Sequence, residues 1–127
     1  SIKPDLLISI HQNSMPHPSD ITIIRGEVAL YFADAGLSLA KTLSGKLAES
    51  LNRLERATRQ QRLAIVRNPQ FPSALLEVGF ITSVEEFDMM MRRGGENIAA
   101  SGYTIADGIL EYYLNQARWL LEDPPNE

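Results

Sequence analysis

His11 and Glu77 are the two residues of this 127-residue chain whose types and surroundings suit them best to chemistry. His11 ends the apolar run Leu6-Leu7-Ile8-Ser9-Ile10-His11 and is followed by a polar loop. The run has the length and composition of a buried strand. Ligands of open α/β sheets gather at the carboxyl ends of strands. A neutral imidazole placed there can bind a metal or carry a proton; it can equally cap the strand through a backbone hydrogen bond. Glu77 stands inside Ala74-Leu75-Leu76-Glu77-Val78-Gly79-Phe80. Strand alternation puts Leu75, Glu77 and Gly79 on one face and Leu76, Val78 and Phe80 on the other. A carboxylate in such a strand is costly to bury unless it is paired, hydrogen-bonded or near a metal. A pair with Arg67 or Arg62 from the preceding strand would satisfy it structurally. Its functional use would be a general base with a tuned pKa.

The other candidates carry less. His17 follows His11 by six residues, between two prolines, which is not the one-turn pairing of a helical zinc motif. Glu27 begins a strand beside Val28 and is expected to face solvent. Gly94-Gly95 breaks a helix and is not followed by the Lys-Ser/Thr of a phosphate loop. No Gly-x-Ser-x-Gly elbow occurs, so serine-hydrolase chemistry finds no support. Tyr112, Tyr113 and Trp119 fall at helical spacing and read as core or groove-lining residues.

The elements that must position these residues follow from periodicity. Strands are expected at Leu6–His11, about Gly26–Phe32, Arg62–Val66 and Ala74–Phe80. Leu37, Ala40, Leu43, Leu47, Leu51 and Leu54 recur at spacings of three and four, which predicts an amphipathic helix of about five turns. Its outer face would carry Lys41, Lys46, Glu49, Arg53, Glu55 and Arg56. Ser83-x-x-Glu86 is a capping box opening a short helix to about Arg92. The last helix runs from about Glu96 to Leu121, with Ile98, Gly102, Ile105, Ile109, Tyr113 and Leu120 on one face. Asp123-Pro124-Pro125 stops it. The order β, β, α, β, β, α, α predicts an α/β layered sheet, mostly parallel with a mixed edge, with helices packed on it. It reads as a single domain over 1–127.

Composition narrows the function classes. The net charge is −4 and no basic stripe is present, which disfavours a nucleic-acid partner. No apolar run reaches the ~18 residues of a membrane span. The chain has no cysteine, which removes disulfides, thiolate catalysis and zinc–thiolate sites together. It opens at Ser1, so any export signal would lie upstream.

Four segments, in order and spacing, resemble the zinc-dependent N-acetylmuramoyl-L-alanine amidases. Leu6 to Ser14 resembles that family's D-L-F-I-S-I-H-A-N strand. Arg25-Gly26-Glu27-Val28-Ala29-Leu30-Tyr31-Phe32 resembles its R-G-x-E-V-Y-Y strand. Val66-Arg67-Asn68 ahead of Pro72 resembles its V-L-R-x-T-x-x-P approach. Leu75 to Ser83 resembles its L-V-E-x-G-F-I-S-N segment. The resemblance implies that His11 is a zinc ligand, that Glu77 is the catalytic acid/base, and that Asn13 and Arg67 contact substrate. It implies cleavage of the amide between the muramic-acid lactyl group and L-alanine of peptidoglycan, in an extracytoplasmic compartment. A catalytic zinc takes about three protein ligands plus water. The family's other two, a histidine in a Gly-His-Gly-Gly turn and a later glutamate, precede the stretch that matches, so the resemblance is to the carboxyl-terminal half of the domain. The missing half, or self-association, would then cover an exposed sheet edge and helix surface. The alternative is a non-catalytic peptidoglycan-binding module on the same fold.

Overall fold

A computed structural model describes residues 3–16, 25–68 and 70–122. His17, Pro69 and the stop at Asp123-Pro124-Pro125 lie outside the described residues. The elements are β1 (Leu7–Asn13), β2 (Glu27–Tyr31), α1 (Asp34–Ser50), β3 (Glu55–Gln60), β4 (Ser73–Phe80), α2 (Val84–Met91) and α3 (Glu96–Glu122), with 3-10 turns at Ala64–Val66 and Arg92–Gly95.

The strands form one sheet in the order β1-β4-β2-β3. β1 with β4 and β2 with β3 are parallel, and β2 with β4 is antiparallel. The sheet is thus mixed α/β and mostly parallel, with its antiparallel pairing in the middle. Helix α1 lies against β2, β3 and β4, and α3 packs on α1. The main core fills this side of the sheet. Leu39, Leu43 and Leu47 are fully buried against Ala29, Ala74, Leu76 and Val78. Each such leucine contributes about 2 kcal/mol of burial. Gly108 lets α3 approach α1 closely, since a Cβ there would stand 2.8 Å from Leu43 Cδ2. The opposite face holds a smaller cluster of Val28, Leu30, Val66 and Leu75.

Several expectations are corrected. The predicted helix does not reach Leu54: α1 stops at Ser50 with Leu51 as its cap. Asn52 adopts a left-handed φ of 48°. Its N–H donates to Glu49 O, and the Arg53 N–H donates to Ala48 O. These are the two bonds of a Schellman ending, with asparagine in place of the usual glycine. Leu51 and Leu54 prolong the leucine period beyond the point where the backbone has turned. The third strand is not Arg62–Val66. It is the polar stretch Glu55–Gln60, an exposed charged edge strand of the kind that resists unwanted pairing. Ala64–Val66 is a 3-10 turn that lays the buried Val66 on the small cluster.

Glu27 does not face solvent. It is fully buried beneath α1, where it accepts a hydrogen bond from Ser44 Oγ at 2.5 Å. Ser83 caps α2 as expected, accepting from the Glu86 N–H at 3.4 Å. The buried Glu86 carboxylate does not complete the box. It accepts instead from the backbone N–H of Gly26 at 2.9 Å and of Phe80 at 2.6 Å, tying the start of β2 to the end of β4. Ser83→Ala is expected to lose about 1 kcal/mol of stability through the lost cap, readable in a urea unfolding curve.

The apolar stripe of α3 is divided. Ser101, Thr104, Ile105, Gly108 and Tyr112 face inward. Ile98, Tyr113, Trp119 and Leu120 of the predicted faces are about half exposed. Ile98 and Ile105 border an apolar hollow of about 200 Å³ shared with Ile10, Val78 and Met90. Beside it, among the described residues, β1 has a strand partner on one side only.

Candidate active site

β1 and β4 bring His11 and Glu77 together. Their register runs Leu7↔Ser73, Ser9↔Leu75 and His11↔Glu77. Residues paired across a parallel ladder project to the same face, and neighbouring strands lie about 4.8 Å apart. His11 and Glu77 therefore stand side by side, at the carboxyl ends of both strands. Val28 flanks Glu77 from the antiparallel side.

The surroundings of the pair differ. His11 is exposed, and Ser9 Oγ lies 2.9 Å from its Nε2, which steadies the ring. Glu77 is half-buried, and its Oε2 is buried with no hydrogen-bond partner. Neither Arg62 nor Arg67 forms an ion pair with it. Burial by the apolar neighbours pushes the Glu77 carboxyl above its usual range, and the charge of His11 pulls it back in part. A carboxyl raised by burial, with a lone pair left open, is suited to accept a proton or to face a cation.

An open groove of about 470 Å³ runs over this face, lined by Asn13, Met15, Val28, Leu30, Arg56, Arg59, Gln61, Leu63, Glu77 and Phe80. Asn13 is in the groove with Glu77, and its Oδ1 accepts from the Ser14 N–H at 2.8 Å. Arg67 is exposed at the end of the 3-10 turn and does not line the groove.

Two β-bulges shape the groove, and neither is visible in residue spacing. In the β1–β4 ladder, His11↔Glu77 is followed by Asn13↔Phe80, so β4 carries an extra residue. Strict alternation would put Phe80 opposite Glu77; the bulge turns it into the same groove. In the β2–β3 ladder, Glu27↔Glu55 is followed by Val28↔Ala57, so Arg56 is the extra residue. Arg59 is in register with Leu30, on the groove face. The arginines and Phe80 are functional candidates that a reading of alternation misses.

His11 supplies a nitrogen, and Glu77 beside it an unpartnered carboxylate oxygen. Among the described residues no group of three His, Cys, Asp or Glu is placed to hold a metal. The pair fits one corner of such a site and does not complete it.

Comparison with known proteins agrees with the architecture. The family model described as N-acetylmuramoyl-L-alanine amidase matches residues 1–111. The chain is 28% identical over 113 residues to a protein named probable cell wall amidase LytH of Staphylococcus saprophyticus, covering 89% of this chain and 37% of that one. Among solved structures it is similar to N-acetylmuramoyl-L-alanine amidase AmiC2 of Nostoc punctiforme, with TM-score 0.76, 28% identity, and 87% of this chain and 58% of that one covered. The catalytic domain of the amidase CwlV from Bacillus (Paenibacillus) polymyxa gives TM-score 0.72 at 27% identity, covering 86% of this chain and 57% of that one. The chain spans little more than a third of the length of the LytH relative and under three fifths of these two structures. With a family match over most of its length and the same fold, the chain belongs to the N-acetylmuramoyl-L-alanine amidase family.

Proposed function

We propose that the protein containing this chain is a zinc-dependent peptidoglycan amidase that hydrolyses the bond between the N-acetylmuramic acid lactyl group and L-alanine. The observation that carries this reading is the unpartnered, buried Oε2 of Glu77, on the groove face beside His11. Glu77 takes a proton from the attacking water as the new C–O bond forms. It returns that proton to the alanine nitrogen as the C–N bond breaks. Its raised affinity for a proton suits both halves of the exchange. His11 would hold one position of the zinc ion, which when bound supplies Lewis-acid polarisation of the carbonyl. Asn13 lines the same groove and is placed to orient the substrate.

The remaining ligands would come from outside the described residues. Among the described residues β1 has one free edge and α3 an exposed apolar side, which supports packing of further polypeptide there, either the rest of the domain or a second copy. Action on peptidoglycan implies an extracytoplasmic location. Among the described residues no helix is long and apolar enough to cross a membrane.

The test is to incubate the full-length protein with purified peptidoglycan and zinc, and to follow free stem peptides bearing an amino-terminal alanine by mass spectrometry. Release that stops with a chelator and returns with zinc is the expected result. Binding to walls without any such release would mark the protein as a non-catalytic peptidoglycan-binding module and overturn the proposal.

A further inference from the structure

We infer that Arg56 and Arg59 form a carboxylate-recognition wall of the Glu77 groove, reading an acidic group on the peptide portion of the substrate. The inference rests on the reading of this groove as the amidase centre. Both arginines line the groove that contains Glu77, and both are exposed at residue level. Neither has an ion-pair partner among the described residues. Like charges on one wall repel one another, and an anion bound there relieves that cost.

The geometry is built rather than incidental. With Glu55 paired to Glu27 on the helix side, strict alternation would send Arg56 to the groove face and Arg59 back towards α1. The extra residue at Arg56 resets the alternation, so that Arg59, in register with Leu30, joins Arg56 on the groove face. Arg56 is also held in place. Its Nη1 donates to the Arg25 carbonyl at 3.1 Å, and its guanidinium lies over the Phe80 ring at 5.7 Å from the centroid. That leaves further N–H donors for a ligand in a fixed fork, which matches a carboxylate and costs little ordering on binding. The β4 bulge supplies Phe80 as the platform. Both irregularities of the sheet thus serve one wall.

A carboxylate is favoured over a neutral group because the groove has two guanidinium groups and one acidic residue, Glu77, which is ion-paired with neither of them. It belongs to the peptide side because the lactyl carboxyl of the muramic acid is itself consumed in the scissile amide, which leaves the free carboxyls on the peptide. The experiment uses full-length protein and a synthetic L-alanyl-γ-D-glutamyl-L-lysine probe, as the free acid and with both carboxyls amidated, titrated by fluorescence or calorimetry. The unmodified protein is expected to bind the acid about tenfold more tightly than the amide, a typical yield for a charge-assisted contact. Arg59→Gln and Arg56→Gln should each erase most of that preference while leaving amide binding unchanged, and Arg59→Lys should retain part of it. Circular dichroism reports whether Arg56→Gln has disturbed the Phe80 platform; Arg59→Gln touches no such contact. Equal binding of acid and amide by the unmodified protein, or equal weakening of both by Arg59→Gln, would overturn the inference. Peptide release from walls is scored separately. Walls left intact, with the acid preference present, would remove the amidase reading and keep the anion site. Walls cleaved without any preference would remove the anion site alone.

Discussion

Glu77→Gln is expected to lower the proposed stem-peptide release of the full-length protein by about a thousandfold while leaving the chain folded. The size follows from what the substitution removes. General acid–base catalysis by a positioned side chain contributes about 10²- to 10⁴-fold. Glutamine keeps the shape of the side chain and its place between Val28 and His11, but its amide does not take a proton from water at neutral pH. The fold is not at risk, because the lost Oε2 has no hydrogen-bond partner to strand. Stability should rise slightly. Burial raises the Glu77 carboxyl, so ionising it in the folded state carries a cost that is fully present above its folded pKa. A neutral amide escapes that cost. Activity down with thermal stability level or up is the signature of a residue retained for chemistry. Activity that survives the substitution would remove Glu77 from the proton path. A thousandfold loss accompanied by unfolding would instead make it structural.

The second large effect concerns Glu27, which the groove does not use. Its carboxyl is pushed up to about 7 from 4.5 by burial under α1. Ser44 opposes the shift by its hydrogen bond, the neighbouring Glu55 adds to it, and Arg53 lowers it. Ser44 Oγ lies 2.5 Å from Glu27 Oε1 and 3.1 Å from Glu55 Oε1. A hydroxyl has one hydrogen to donate. It can satisfy one of the two carboxyls fully, and a proton on Glu27 relieves the other. Between about pH 4.5 and 7 the folded chain therefore holds a proton that the unfolded chain has released. Stability falls as pH rises through this window, and above it the loss is complete. The difference of roughly 2.5 pKa units corresponds to about 3 kcal/mol. Glu27→Gln carries no such proton. The stability of the variant relative to the unmodified chain should climb by about 3 kcal/mol between pH 4 and pH 8, measured by urea unfolding at each pH. Groups remote from Glu27 titrate alike in both proteins and cancel in the difference, which leaves Glu27 and its neighbour Glu55. A constant gap across this range would show that folding does not raise the Glu27 carboxyl above its ordinary value.

Much of the strand pair that carries His11 and Glu77 was legible without a structure. β4 is a continuous apolar run and is buried as expected; β1 opens on such a run and is a strand, but it lies at the edge of the sheet with none of its residues buried, because burial depends on neighbours that the run itself does not record. The Ser83 cap is a local hydrogen bond three residues long and was equally readable. What failed did so for identifiable reasons. The leucine period ran on to Leu54 because periodicity records hydrophobic spacing and does not register a left-handed turn at Asn52, whose residue type was the available signal. The strand Glu55–Gln60 was missed because an edge strand with charged side chains has no apolar alternation to show. Arg62–Val66 has the composition of a strand but folds as a turn, since its task is to drop Val66 onto Leu30 and Leu75.

By itself, then, the sequence determined the layered α/β class, the two strands that carry His11 and Glu77, and the family to which those motifs point. Tertiary structure alone decided that the two residues share a face, because a parallel register is a relation between segments more than 60 positions apart. It also decided that Glu27 is buried, because α1 lies over that side of β2 and Ser44 meets its carboxylate there. The contents of the groove were a tertiary decision as well. Each bulge is an extra residue measured against a partner strand, and no count along one chain segment can reveal which side of the sheet Phe80, Arg56 and Arg59 will take.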